Sequence, residues 1–177
     1  MKQIVLFLSI LIASGIMFAN IYTSLIDARS WGSDIPNSIA TSRDYFKVVN
    51  PGNFFRLFSP INQVLAIIAL VIFWKSDPSL RIYLGGAALL YVLVEVMTFG
   101  YFYPRNEIMF NSGSLADTAL LKKTWNEWTR MNWVRTFILL IGIAASFFAL
   151  TRSYLNQRTA SEKTVISNSV SSTTYSV

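Results

Sequence analysis

The stretch Asn132–Leu150, NWVRTFILLIGIAASFFAL, decides the fold. Past Arg135 it carries no charge, and as a helix it would rise about 28 Å, close to the hydrocarbon thickness of a bilayer. Three more apolar blocks precede it, at about Ile4–Leu25, Pro60–Trp74 and Ile82–Tyr103. The brief turn Lys75-Ser76-Asp77-Pro78-Ser79 makes the middle two an antiparallel hairpin. The expected fold is all-α: an integral membrane four-helix up-down bundle with two longer outer loops, about Ile26–Ser59 and Pro104–Met131. One domain, residues 1–153, is expected, followed by a polar Ser/Thr-rich tail, 154–177, read as disordered. Within the loops, short helices are expected near Ser38–Phe46 and Leu115–Trp128, the second with Ser114 as N-cap.

Composition agrees. Hydrophobic residues make up 53% and charged residues 14% of the 177 residues, where soluble domains carry about 25% charged. There is no cysteine and no histidine. That removes disulfides, thiolate and imidazole metal sites, and nucleophile–histidine dyads. Net charge is +6, but Lys122-Lys123 is the only adjacent basic pair, so no stripe for nucleic acid exists.

The first block reads as an uncleaved span rather than a signal peptide, because it is long and no small-x-small site follows it. Basic residues crowd the short Lys75–Arg81 turn and follow the last span at Arg152. By the positive-inside rule both termini are expected in the cytoplasm of a multi-pass protein, placed in a bacterial inner membrane.

Polar residues fall at one boundary of these spans. Pro60-Ile61-Asn62 is expected to open the second, Pro104-Arg105-Asn106 to follow the third, and Trp128-x3-Asn132-x2-Arg135 to open the fourth. The prolines fit helix ends, where a missing N–H costs nothing. The asparagines are either caps or ligands. Trp125, Trp128 and Trp133 suit the headgroup level, with Arg135 snorkelling there. Alternatively, Asn132 and Arg135, three apart on one helix face, bind a polar or anionic group. Asn20 and Tyr22, in the outer part of the first span, are placed to join them, the alternative for Asn20 being a bond to a neighbouring helix. Glu95 is the only acid well inside a span, about 13 Å below Pro104 by helical rise. It is either a structural tie to Arg135 or an asparagine, or a proton acceptor. Gly15, Gly85-Gly86 and Gly142 fit close helix packing.

The Pro104-Arg105-Asn106 and Trp128-x3-Asn132-x2-Arg135 marks, in this order of spans, resemble the small four-span membrane family that includes fungal anthrone oxygenases. The architecture is shared over about Ile4–Leu150, the identity only over those motifs. The resemblance implies oxidation of an anthrone to an anthraquinone by dioxygen, with no cofactor and no metal. It leaves Glu95 and Arg135 as catalytic candidates, and Asn20, Asn62, Asn106, Trp128 and Asn132 as substrate-binding ones.

Two functions follow. One is an oxygenase-like enzyme, or binder, for a lipophilic aromatic phenol or quinone entering from the lipid bilayer. The other is a non-enzymatic scaffold binding lipid or a partner protein through its outer loops, where Trp31 and Trp125 lie. A channel would require a homo-oligomer, a state the sequence leaves open. An enzyme requires a cavity beside Glu95 and Arg135; a scaffold would be packed solid there.

Overall fold

A computed structural model describes residues 2–111 and 113–174. Its helices are α1 (Lys2–Tyr22), α2 (Ala28–Trp31), α3 (Asn37–Tyr45), α4 (Pro51–Ile72), α5 (Pro78–Met97), α6 (Tyr103–Asn106) and α7 (Thr118–Thr174). No strand occurs among the described residues. Wider π-helical turns at Thr23–Asp27, Thr98–Phe102 and Glu107–Asn111 join several of these into longer rods. Four resulting helices are long and apolar enough to cross a membrane: Lys2–Trp31, Pro51–Ile72, Pro78–Asn111 and Thr118–Lys163. The chain is a multi-pass membrane protein. α4 and α7 each pack against α1 and α5, so they occupy opposite corners of a square bundle.

Every span is longer than its apolar run. The second begins at Pro51, not Pro60: Asn50 caps it, its side chain and that of Asn53 bonding reciprocally across the first turn. Pro60 is inside α4. The third does not stop at Pro104 but continues to Asn111. A proline ring collides with the carbonyl four residues back; here that residue is Gly100, inside the π turn that widens the helix just before the proline. Asp117, not Ser114, starts α7, its Oδ1 accepting from the Leu120 N–H at 2.9 Å. α7 runs on to Thr174, past the residue 154 at which a disordered tail is expected. Beyond Leu155 its described side chains are mostly exposed, with a local Arg158–Glu162 pair at 3.0 Å.

Two apolar clusters form the core. One lies between the spans and includes Leu6, Ile10, Leu84, Tyr91, Leu139 and Ile143. Here Gly142 permits a close approach, since a Cβ would lie 2.7 Å from Tyr91 Cε1. Gly15, Gly85 and Gly86 meet nothing within 4 Å and are not packing glycines in this chain. The second cluster caps the end that carries residues 23–50 and 98–131, the loop end. It joins Trp31, Ile39, Phe102, Met109, Leu121 and Trp128. Trp128 is 4% exposed, so it is a core residue rather than a headgroup anchor. Trp125 donates to the Ala28 carbonyl at 2.7 Å, and a Cβ on Gly32 would fall inside its indole. Of the three tryptophans, Trp133 remains exposed.

At the opposite, turn end, Asp77 caps α5 by accepting from Ser79 N at 2.9 Å and meets Arg152 of α7 at 3.1 Å. The Ser79 backbone bond, with help from Arg152 and Asn156, pulls its carboxyl down from 3.8 to about 2. A depressed pKa stabilises the fold above the unfolded value, and that stabilisation is lost as pH falls from about 4 to about 2. In detergent melts across this window, the wild type is expected to lose an increment of Tm that Asp77→Asn has already lost. Parallel pH profiles for the two would refute the linkage.

Candidate functional site

Beside the loop-end cap lies a polar knot between α1, α5 and α7. Asn132 follows Trp128 by one helical turn and Arg135 follows Asn132 by three residues, so all three share the inward face of α7. Asn132 is wholly buried and Arg135 only 5% exposed. Arg135 Nη2 donates to Asn20 Oδ1 at 2.7 Å and to Asn132 Oδ1 at 2.5 Å. Nη1 reaches Thr98 Oγ1 at 3.4 Å. Asn132 Nδ2 in turn donates to the Asn20 carbonyl at 3.1 Å and to Ser24 Oγ at 2.6 Å. Each amide therefore presents its oxygen to the guanidinium, and Asn132 turns its nitrogen toward α1. The guanidinium carbon sits 3.9 Å from the Phe102 ring centroid and 5.4 Å from that of Phe55, within cation–π range.

All these acceptors are neutral. Among the described residues the ion pairs are Arg105–Glu127, Arg152–Asp77 and Arg158–Glu162. None involves Arg135. Glu95 acts on it electrostatically, but from beyond ion-pair distance. Arg135 Nε and Asn20 Nδ2 are buried with no hydrogen-bond partner among the described residues.

Arg135 lines a cavity of about 570 Å³. Trp31, Phe46, Phe55, Phe102, Phe110 and Trp128 supply aromatic walls, and Arg43, Lys47, Arg56 and Glu107 supply charge. Trp128 Nε1 donates to Asn106 Oδ1 at 2.8 Å, and both residues face the cavity. A second cavity of about 460 Å³, between α1, α3 and α4, shares Thr23, Phe46, Pro51 and Phe55 with the first.

The sequence-derived residues divide into three groups. Asn20, Asn132 and Arg135 form the knot, and Asn106 and Trp128 a pair in the same cavity wall. Asn62 is elsewhere: because α4 starts at Pro51, it sits in mid-helix and accepts from Ser9 Oγ at 3.3 Å. Ser9 is eleven residues before Asn20, about 16 Å along α1. Glu95 meets Gln63, whose Nε2 donates to Oε2 at 3.4 Å, and does not line the cavity. Tyr22 is exposed and borders the second cavity, outside the knot. Sequence reasoning passed over Ser24, Thr98 and Glu107. The π turns that carry them follow no simple sequence pattern, although Glu107 adjoins the Pro104-Arg105-Asn106 mark.

A comparison with protein families matches residues 54–145, just over half of the chain, to a family model described as anthrone oxygenase. The match spans Asn62, Glu95, Asn106, Trp128, Asn132 and Arg135 and leaves Asn20 outside. No curated protein and no solved structure matches the chain.

Replacing Asn132 with Leu removes an acceptor from a buried cation and strands the Ser24 hydroxyl. A loss of at least about 2 kcal/mol is expected in SDS-titration unfolding of the micelle-embedded protein. Thr136→Val, which deletes only the local bond to the Asn132 carbonyl at 2.8 Å, should cost about 1 kcal/mol or less. Equal losses would mean that the knot does not hold the arginine.

Proposed function

The chain belongs to the anthrone oxygenase family, and we propose that it binds a flat, lipophilic phenol- or quinone-type molecule in the loop-end cavity and oxidises it with dioxygen. One observation carries this reading. A buried guanidinium, with neutral partners and no carboxylate at ion-pair distance, lines an aromatic-walled cavity. Burying a cation in this way is costly. An anionic oxygen on a ligand in the cavity that Arg135 lines would offset that cost.

The chemistry suits such a group. An anthrone has an acidic methylene opposite its ketone. Loss of a proton converts the ketone oxygen to an oxyanion, and a pre-oriented cation in a water-poor site stabilises that charge as it forms. The electron-rich carbon then reduces dioxygen and bonds to it, and the resulting hydroperoxide eliminates water to leave a second carbonyl. In sum, CH2 and O2 become C=O and H2O. In this scheme Arg135 holds the oxyanion and Asn20 and Asn132 fix its guanidinium. Trp128, held by Asn106, forms a wall against the ring system, and the substrate enters from the lipid. The competing scaffold reading expects solid packing beside Arg135, where the cavity lies.

Arg135→Ala should lower turnover of a simple anthrone in nanodiscs by about 10²–10³-fold, with the protein still monodisperse and helical. Arg135→Lys should recover little, since one ammonium nitrogen cannot reproduce the planar group that meets both amide oxygens through Nη2 and Thr98 through Nη1. Mass spectrometry of small molecules copurifying with wild type and with the Arg135→Ala, Glu95→Gln variant gives an independent readout. Undiminished turnover in Arg135→Ala would sink the assignment.

A further inference from the structure

The cavity wall contains a carboxylate that the scheme above leaves unused. Among the lining residues, Glu107 is the acid, set against Arg43, Lys47, Arg56 and Arg135. Glu107 and Asn111 both face the cavity from the π turn Glu107–Asn111. Asn111 Nδ2 donates to Glu107 Oε2 at 2.8 Å. That bond orients the carboxylate and leaves Oε1 open to a ligand.

Its position along the third span matters more. Thr98, whose hydroxyl meets Arg135, marks the inner end of the cavity. Glu107 follows nine residues later, farther toward the loop end. Glu95 lies three residues on the other side of Thr98, hydrogen-bonded to Gln63 and outside the cavity wall. A cation and a carboxylate thus line one aromatic-walled cavity. A ring whose oxygen meets Arg135 in this cavity shares the cavity with Glu107, whereas Glu95 does not line it.

Resting on the oxygenase reading above, we infer that Glu107, rather than the intramembrane Glu95, is the proton acceptor. The methylene C–H bond breaks and its proton passes to a Glu107 carboxylate oxygen. The bonding pair moves through the ring to the ketone oxygen, which becomes the oxyanion at Arg135. No electron leaves the substrate in this step, so it proceeds without dioxygen and can be observed alone.

The test is deuterium incorporation into the methylene of anthrone by the full chain in nanodiscs, in oxygen-free D2O, followed by mass spectrometry. The wild type should exchange faster than empty discs. Glu107→Gln should lose about 10²-fold or more of that catalysed exchange, and Glu107→Asp should recover part of it. Glutamine can still accept the Asn111 bond at this exposed position, so an unchanged melting profile is expected alongside. Wild-type exchange in Glu107→Gln, or loss confined to Glu95→Gln, overturns the inference while leaving the oxygenase reading intact. If the wild type is no faster than empty discs, the oxygenase reading fails and the inference fails with it.

Discussion

A single positive charge, taken out of water and given amides, a hydroxyl and aromatic faces for company, organises this bundle. Arg135 is held by Asn20 of α1 and Asn132 of its own helix, touches Thr98 at the end of α5, and rests on Phe102. Those contacts tie three of the four spans together at one level. A charge at that depth is tolerated only when its surroundings are fixed, since each loosened donor would face an apolar wall. The adjoining π turns, Thr23–Asp27 and Thr98–Phe102, begin within three residues of the knot or at it. Such wide turns displace side chains around the helix axis and often accompany functional sites. Here they carry Ser24 and Thr98, two of the polar groups that meet Asn132 and Arg135.

The cap above the knot turns a gap into a cavity. Trp31 packs edge-on against Phe110 at 4.9 Å and Trp128 at 5.3 Å, and Trp128 against Phe102 at 5.5 Å. The third span ends at Asn111, and a helix end leaves its last carbonyls without partners. Arg43 of α3 donates to two of them, Met109 at 2.8 Å and Ile108 at 3.3 Å. Arg105 lies 3.4 Å from the Tyr101 ring centroid and pairs with Glu127 of α7 at 2.9 Å. The two loops are therefore bound to each other and to the helix ends. The walls that face Arg135 are set by this packing.

Much of this was legible in the sequence. Spans can be read because length and apolarity are all that a bilayer demands, and Asn132 with Arg135 because a three-residue step on a helix fixes their shared face. Asn20 was reachable as a polar residue near the end of an apolar run. The misreadings have a common physical source. Pro60 and Pro104 suggest helix boundaries, yet a helix packed in a bundle can absorb a proline by widening or bending its turns. Once α4 starts at Asn50 and Pro51, Asn62 moves from the mouth to mid-helix and pairs with Ser9. Of the two sequence readings of Trp128, headgroup anchor or ligand-binding residue, the first gives way, because the loop segments fold over the indole and make it core. Glu107 carried no signal of burial or periodicity, and only the continuation of the third span past Pro104 brings it to the cavity.

The choice of amides over carboxylates around Arg135 bears on what the site can do. An aspartate at position 20 or 132 would form an ion pair with the guanidinium and lower the cost of burying it. It would also quench the field that the cation projects into the cavity. Asparagine has the same shape and offers an oxygen at the same distance. It fixes the guanidinium's direction without placing a carboxylate at ion-pair distance. The faces of Phe102 and Phe55 contribute only the weak negative potential of their rings. Arg135 is thus oriented by neutral groups, with no carboxylate at ion-pair distance among the described residues.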